Sequence, residues 1–198
     1  MKKVASIEIG KFSHFFPFPA TIVTSNYNGR DNAMAVAWHM PLSAQPPFYG
    51  VGISSGKLSW EYINKTKEFG VNFMPFEAAE LVAATGGPSG RKIDKFNSFG
   101  LKKDAPLVTS VPILSDAYAA FECVVEEQAE YGDHTLFIGR VVALHHVPEA
   151  YDERGRLNLN IVKPTLYLGG DNYLQVTAFN TPHLDRKEVA EELTRRNA

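Results

Sequence analysis

The sequence contains a single cysteine, which excludes an internal disulfide bond. Cys123 follows Phe121 and precedes Val124 and Val125 in a run that is typical of a strand. A free thiol in such surroundings packs as a small hydrophobic side chain. We therefore predict that Cys123 is buried and inert.

Long apolar runs are also missing, since none approaches the roughly 20 residues needed to span a bilayer. The chain begins Met1-Lys2-Lys3 and continues through polar residues, without the apolar core of a signal peptide. We expect a cytoplasmic protein that does not act at a membrane. No linker rich in Pro, Gly or Ser divides the chain, so we expect one domain over residues 1–198, with a C-terminal helical extension at 184–198.

An excess of positive charge is absent, because 20 Lys and Arg are balanced by 22 Asp and Glu. Nucleic-acid binding normally needs such an excess, so we expect no nucleic-acid partner. The cations are instead concentrated locally, in the segment GGPSGRKIDKF at residues 86–96. A phosphate site typically combines three features that are present here. The glycines let backbone amides turn toward an anion, Ser89 supplies a hydroxyl, and Arg91 and Lys95 supply positive charge. The segment indicates a small phosphorylated ligand.

Several common motifs are missing as well. There is no Gly-x-x-x-x-Gly-Lys-Ser/Thr loop, no Gly-x-Gly-x-x-Gly turn and no Gly-x-Ser-x-Gly elbow. The six histidines show no ligand spacing, and the adjacent pair His145-His146 points to opposite faces of a strand. We therefore expect no metal site and no serine hydrolase.

The hydrophobic pattern consists of many short β-rich runs interrupted irregularly by helices. The dipeptide Asn28-Gly29 predicts a tight turn between strands at 20–25 and 32–39. The pattern predicts a mainly β fold, a mostly antiparallel β-barrel with peripheral helices. Further strands are predicted at 48–54, 69–74, 119–127, 135–144, 166–168 and 173–176, and helices at 59–66, 78–85, 91–98 and 185–196. Ser59 is expected to cap the first of these helices, and Asp185, followed by Glu188, to cap the last.

Two turns could converge on one phosphate. The first carries Ser54, Ser55, Lys57 and Ser59, and the second is the segment from Ser89 to Lys95. Each offers hydroxyls, a glycine and a cation at the start of a predicted helix. The alternative is that both are ordinary capped turns at the surface.

Two further segments are candidates for ligand contacts. The strand from Asn32 to His39 is rich in small residues, which would let a flat ligand lie against its backbone, although a buried core strand would show the same pattern. His134, after the turn Gly132-Asp133, could face a cleft and hold a substrate. The alternative is a histidine that only satisfies the turn.

These segments together resemble the flavin reductase-like family with the FMN-binding split barrel, and most closely its flavoredoxin branch. The resemblance spans roughly residues 15 to 170. In chain order it rests on PATIVTS from Pro19, NAMAVAW from Asn32, Pro46-Pro47, SGRKIDKF from Ser89 and GDHTLFIGRV from Gly132.

The resemblance implies a homodimer of split barrels that binds FMN near the subunit interface. It implies flavin ring contacts from Asn32, Met34, Ala35, Trp38 and His39. It implies phosphate or ribityl contacts from Ser54, Ser55, Lys57, Ser59, Ser89, Gly90, Arg91 and Lys95. His134 is implied to lie nearest the nicotinamide or another electron donor, as the catalytic residue.

The implied activity is that of a flavin-dependent oxidoreductase. NADH or NADPH would pass hydride to FMN, and the electrons would continue to free flavin, oxygen, ferric iron or a redox protein partner. Two alternatives stay open at this point. One is a flavoredoxin-type electron carrier reduced by a partner protein, and the other is a non-catalytic ligand-binding barrel.

Overall fold

The computed structural model describes the chain except residues 8, 11, 179–183, 197 and 198, and it does not describe the His14 side chain. The strands are Phe18–Pro19 (β1), Thr21–Tyr27 (β2), Arg30–Val36 (β3), His39–Ala44 (β4), Pro47–Ser54 (β5), Glu68–Phe73 (β6), Lys103–Asp104 (β7), Ile113–Leu114 (β8), Ala119–Tyr131 (β9), His134–His146 (β10), Thr165–Gly169 (β11) and Asn172–Gln175 (β12). The α-helices are Leu58–Thr66 (α1), Ala79–Gly86 (α2), Lys95–Phe99 (α3) and Arg186–Arg196 (α4), and short 3-10 helices occupy Phe12–His14, Phe76–Ala78 and Pro148–Ala150. No helix within the described ranges has both the length and the apolar character needed to cross a bilayer.

The main sheet of the described chain has the strand order β3-β2-β6-β9-β10-β5-β4, and its neighbouring strands pair antiparallel. The short strands form two small sheets, β1-β11-β12 and β7-β8. The mainly β, mostly antiparallel fold class predicted from the sequence is therefore confirmed.

Two tight turns fix the register of the sheet. Asn28 and Gly29 have φ angles of 53° and 76°, which the β2–β3 hairpin requires, so the predicted turn is confirmed. Gly132 has a φ of 63° in the turn that joins β9 to β10. Pairing of β10 with β5 then sets His134 opposite Ser54. This strand pairing brings distant parts of the chain to one end of the sheet.

The strand predicted at 32–39 is shorter than expected. It ends at Val36, and a separate edge strand, β4, begins at His39. The intervening Trp38 carbonyl accepts a hydrogen bond from the Gly52 amide at 2.8 Å. The break therefore turns Trp38 toward β5.

Two helix starts also differ from the sequence expectation. Ser59 does not cap α1, which begins at Leu58; its buried hydroxyl accepts a hydrogen bond from the Asn32 amide instead. Helix α3 begins at Lys95 rather than at residue 91, because the Asp94 carboxylate accepts a hydrogen bond from the Asn97 amide and caps the helix there. The cap of α4 by Asp185 agrees with the sequence expectation, since its carboxylate accepts hydrogen bonds from the Lys187 and Glu188 amides.

The sheet packs around a buried apolar core. Residues such as Val51, Phe69 and Phe137 are fully buried in it. Cys123 belongs to this cluster, and burial raises the pKa of its thiol to about 12. The predicted buried cysteine is confirmed, and its high pKa keeps it in the unreactive thiol form.

A buried carboxylate fastens the loop before β8 to the sheet. Glu122 is fully buried and accepts hydrogen bonds from the backbone amides of Leu107, Val108 and Thr109, and it also pairs with His145 at 2.7 Å. Burial alone would raise the pKa of Glu122, but these hydrogen bonds outweigh it and lower the pKa to about 2. The ionised form is therefore the one that the fold stabilises.

We expect Glu122→Gln to lower the free energy of unfolding at neutral pH by about 1–3 kcal/mol, since the amide cannot accept all of these hydrogen bonds. Because the folded pKa of Glu122 lies below its ordinary value, its stabilisation is present above pH 4.5 and is lost as pH falls toward 2. Denaturant unfolding across this range measures both effects. Glu126→Gln, on the same strand but exposed and paired with Arg140, is the control and should change stability by less than about 0.5 kcal/mol. Equal losses in the two variants would contradict the role of Glu122.

Gly139 lies against the core side chains of Phe69 and Cys123, where there is no space for a side chain. A Cβ atom at this position would lie 2.6 Å from the Phe69 ring and 2.8 Å from the Cys123 Cβ. We expect Gly139→Ala to destabilise the fold by about 1–3 kcal/mol through overpacking. Gly56→Ala, where a Cβ would meet nothing within 4 Å, should be nearly neutral in the same unfolding measurement.

Candidate functional site

Three adjoining cavities lie along the ends of β3 and β5. We call them the central chamber, with a volume of about 660 Å³, the lysine chamber, of about 150 Å³, and the aromatic chamber, of about 360 Å³. The central and lysine chambers share Met34, Lys57, Gly86 and Gly87 in their walls. An elongated ligand could therefore occupy both, with a large part in one and a small group in the other.

The lysine chamber contains a buried cation that lacks a counter-ion. Lys95 is only 5% exposed, and its Nζ donates a hydrogen bond to the Thr85 carbonyl at 2.6 Å. No carboxylate in the described part of the chain pairs with it. Burial, together with the nearby charge of Lys57, lowers the pKa of Lys95 to about 8. An anion in this chamber would relieve both effects.

Polar groups complete the lysine chamber. The start of α1 contributes Ser59, which accepts a hydrogen bond from the Asn32 side-chain amide at 2.8 Å. Gly90 passes so close to this pair that a Cβ would lie 2.1 Å from Asn32 Oδ1. A glycine is needed here for the loop at 86–90 to close the chamber, and Arg30 holds that loop by donating a hydrogen bond to the Gly90 carbonyl.

The central chamber is lined on one side by the small residues at the end of β3. Met34 and Ala35 line it, followed by Val36 and Ala37. Helix α2 forms another wall of the chamber. Gly86, at the end of α2, lies so close to β3 that a Cβ atom added to it would be 3.3 Å from the Ala35 Cβ. Such a surface gives a flat ligand access to backbone polar groups.

Charge is distributed unevenly between these two chambers. Glu80 and Asp171 line the central chamber, whereas the lysine chamber has two lysines and no carboxylate among its described lining residues. The electrostatic field therefore directs an anionic group toward Lys57 and Lys95.

Trp38 and His134 stand between the central and aromatic chambers and line both of them. Their ring centroids are 4.5 Å apart. His134 Nδ1 lies 2.8 Å from the Asp133 carboxylate. This hydrogen bond with His134 lowers the pKa of Asp133. A carboxylate accepts but does not donate, so Nδ1 carries the proton and Nε2 of a neutral ring is a hydrogen-bond acceptor.

His39 is held by two partners of its own. Its Nε2 donates to the Pro19 carbonyl at 2.8 Å, and its Nδ1 accepts from the Tyr49 hydroxyl at 2.6 Å. Burial lowers the pKa of His39, which favours the neutral ring that this pattern requires. Both ring nitrogens are therefore engaged within the fold.

The structure brings most of the predicted site residues into the three chambers. Those that line the central chamber are Met34, Ala35, Trp38, Ser54, Lys57 and His134. Those that line the lysine chamber are Asn32, Met34, Lys57, Ser59, Ser89, Gly90 and Lys95. His39 lines the aromatic chamber.

Two predicted residues lie elsewhere. Arg91 pairs with Glu61 at 2.6 Å on the exposed surface, and it lines none of the three chambers. Ser55 is exposed in the turn before α1 and also lines none of them. Their contacts to a ligand stay predictions.

Sequence reasoning missed the walls formed by α2 and by the β11–β12 hairpin. Tyr167 and Tyr173 line the central chamber from that hairpin, and their ring centroids are 5.3 Å apart. The aromatic residues on either side of Gly169-Gly170 were the available signal. Their position over the chamber depends on pairing of β11 with β1, which no local pattern shows.

Comparisons with known proteins agree with this geometry. The family model described as "Flavin reductase like domain" matches residues 12–176. An FMN-binding protein from Thermus thermophilus, crystallised with 1-cyclohex-2-enone, is similar at 32% identity and a TM-score of 0.81, covering 92% of this chain and 99% of that one. Flavoredoxin from Methanosarcina acetivorans is 25% identical with a TM-score of 0.81, over 96% of this chain and 99% of that one.

Curated relatives support the same family. The NADH-dependent flavin reductase StyB from Pseudomonas fluorescens is 31% identical over 136 residues, which are 66% of this chain and 72% of StyB. A relative from Aeropyrum pernix is 29% identical over 78% of this chain, but the match spans only 58% of that protein's length. The resemblance inferred from the sequence motifs is confirmed, and the chain belongs to the flavin reductase-like family of FMN-binding proteins.

Proposed function

We propose that the protein is an FMN-dependent oxidoreductase that accepts hydride from NADH or NADPH. The observation that carries the proposal is the pair of adjoining chambers, in which a cavity of about 660 Å³ leads to a buried lysine that has no carboxylate partner among the described residues. FMN combines a flat ring system with a phosphate dianion at the end of a flexible chain. That shape and charge match the two chambers.

The residues present fit this cofactor. Lys95 and Lys57 would neutralise the phosphate, and Ser59 and Ser89 would supply hydroxyls to its oxygens. The close approach of Gly90 to Asn32 closes the chamber around a small group. The β3 residues from Met34 to Ala37 would lie along the ring system.

When bound, FMN supplies the hydride chemistry, so the protein needs no pair of acid and base residues. The chain's own residues bind and orient. The backbone of the β3 end can donate hydrogen bonds to the polar edge of the ring, and Trp38 and His134 wall off one side of the central chamber. His134, with its Nδ1 proton held by Asp133, offers Nε2 to accept a proton or a hydrogen bond.

Hydride donation by NADH or NADPH is supported by the similarity to StyB, whose name records NADH dependence. A flavoredoxin-type carrier, reduced by a partner protein, is the alternative that the similarity to flavoredoxin favours. Mixing the FMN-loaded protein with NADH or NADPH without oxygen separates the two. Prompt bleaching of the flavin absorbance supports the oxidoreductase, whereas persistent absorbance with both donors supports the carrier.

We also propose that the protein acts as a homodimer with the flavin near the subunit interface. The proposal rests on the resemblance to split-barrel homodimers, and exposed apolar side chains such as Phe15, Leu107 and Leu144, which are 85%, 73% and 55% exposed, are available for contact with a second copy. Sedimentation equilibrium of the FMN-loaded protein should give twice the mass of the chain. A mass equal to that of one chain would contradict the dimer.

We expect Lys95→Met to weaken FMN binding by roughly 10- to 150-fold. This range corresponds to the loss of one hydrogen bond to a charged group, which contributes about 1.5–3 kcal/mol. Riboflavin, which lacks the phosphate, should bind both proteins equally. The wild-type preference for FMN over riboflavin should also decrease as pH rises above 8, because free Lys95 then loses its proton. Fluorescence titration with the two flavins measures these differences.

Lys92→Met is the matched control. Lys92 lies three residues earlier, is exposed and lines none of the three chambers, but its replacement removes the same charge. Its FMN affinity should stay within about twofold of wild type. A similar loss in both variants, or a Lys95→Met loss shared by riboflavin, would contradict the phosphate site.

A further inference from the structure

Two walls of the lysine chamber come from different parts of the chain. One wall is the loop at 86–90, and the other is the turn at 56–59, which leads into α1. Gly90 is buried where the walls meet, since a Cβ atom on it would lie 2.1 Å from Asn32 Oδ1 and 3.0 Å from Leu58 Cδ2. The chamber is therefore closed only while the loop lies against β3 and α1.

An ion pair at the surface ties these two walls together. Arg91 directly follows the loop, and its Nη1 donates a hydrogen bond to Glu61 Oε2, on α1, at 2.6 Å. Lys65 also donates to the Glu61 carboxylate, at 2.7 Å, and the hydrogen bonds from Lys65 and Arg91 lower the pKa of Glu61. The ionised carboxylate therefore holds Arg91, and with it the end of the loop, against α1.

A second hydrogen bond holds the same end of the loop to the sheet. Arg30 begins β3 and donates to the Gly90 carbonyl, 60 residues away in sequence. Gly90 and Arg91 are thus held to two different elements, β3 and α1. Arg30, Glu61 and Arg91 do not line the lysine chamber, so they can act on an anion inside it only through the loop.

We propose that the Glu61–Arg91 ion pair is a latch that keeps the loop at 86–90 closed over the phosphate of FMN, which makes Arg91 a positioning residue and not a phosphate ligand. The inference rests on the proposed function, because its ligand is the FMN phosphate in the lysine chamber. Since neither partner of the ion pair lines the chamber, the latch stabilises the closed loop equally with and without FMN. It therefore slows the entry and the release of FMN by the same factor and leaves the affinity unchanged.

The test is stopped-flow fluorescence of FMN binding to, and release from, the full chain. Glu61→Gln and Arg91→Met should each raise both rate constants about two- to fivefold, the range expected for the loss of one exposed ion pair, and leave the Kd unchanged. The double variant should exchange FMN no faster than either single variant, because both substitutions remove the same contact. Faster release without faster entry, or additive effects in the double variant, would overturn the latch.

The Kd distinguishes a latch from direct contact of Arg91 with the phosphate. If Arg91 bound the phosphate, Arg91→Met would weaken FMN binding, whereas Glu61→Gln would free Arg91 and strengthen it. Opposite changes of the Kd in these two variants would therefore overturn the proposal. Arg91→Lys keeps a cation that can pair with Glu61, and we expect it to restore the slow exchange that Arg91→Met loses.

Glu126→Gln is the matched control. It removes a carboxylate from another exposed ion pair, with Arg140 at 2.6 Å, and neither of these residues lines the three chambers. Its rate constants for FMN should equal those of wild type. An acceleration like that of Glu61→Gln would mean that the loss of any surface carboxylate has this effect, and would overturn the assignment to the latch.

Hydrogen exchange of the full chain without flavin tests the latch independently of FMN binding. The Lys92 amide donates to the Ser89 carbonyl at 2.9 Å, in the turn at the end of the loop. We expect Glu61→Gln to speed exchange of this amide about two- to fivefold, while Glu126→Gln leaves it unchanged. Faster exchange in a protein that does not bind FMN would contradict the proposed function but support the latch on the loop. Unchanged exchange would overturn the latch even if FMN binds.

Discussion

The desolvated ammonium group of Lys95 is the constraint on which the candidate site depends. Lys95 has no carboxylate partner in the part of the chain that the structure describes, and burial and the charge of Lys57 both disfavour its protonated form, which destabilises the free protein. The fold nevertheless holds the Lys95 side chain in the lysine chamber. Asp94 caps α3 directly before Lys95, and the Thr85 carbonyl accepts a hydrogen bond from Lys95 Nζ. Such an arrangement is explained if a bound anion supplies the missing charge. The phosphate of FMN is an anion of the size that the lysine chamber admits.

The antiparallel sheet makes this site possible by bringing together turns that are distant in sequence. Pairing of β10 with β5 sets His134 opposite Ser54, and the hairpin of β2 and β3 presents Asn32 to Ser59. Glycines also contribute, because they allow the backbone to approach a side chain closely, as Gly90 approaches Asn32. The chambers are thus a consequence of register and of close packing.

Much of this could be predicted from local sequence patterns. The Asn28-Gly29 hairpin and the antiparallel class follow from short-range patterns, and so do the two turns that each carry hydroxyls and a cation, although their meeting in one chamber depends on the sheet. The prediction was wrong where tertiary contacts compete with local propensity. Ser59 was expected to cap its helix, but its hydroxyl is used by Asn32, and Asp94 begins α3 later than the pattern indicated.

Other parts could not be predicted because they arise from contacts between distant segments. Arg91 belongs to a cationic motif, yet Glu61 holds it at the surface, 30 residues away in sequence. The aromatic chamber depends on the N-terminal phenylalanines meeting Trp38, and the tyrosines of the β11–β12 hairpin depend on pairing with β1. Periodicity and motif spacing carry no information about such pairings.

The most direct test of the FMN site is a crystal structure of the protein with FMN bound. We expect a phosphate oxygen within hydrogen-bond distance of Lys95 Nζ, in the lysine chamber, and the flavin ring system along Met34 to Ala37 in the central chamber. A phosphate that points to solvent, or a ring system outside the central chamber, would contradict the proposed binding mode.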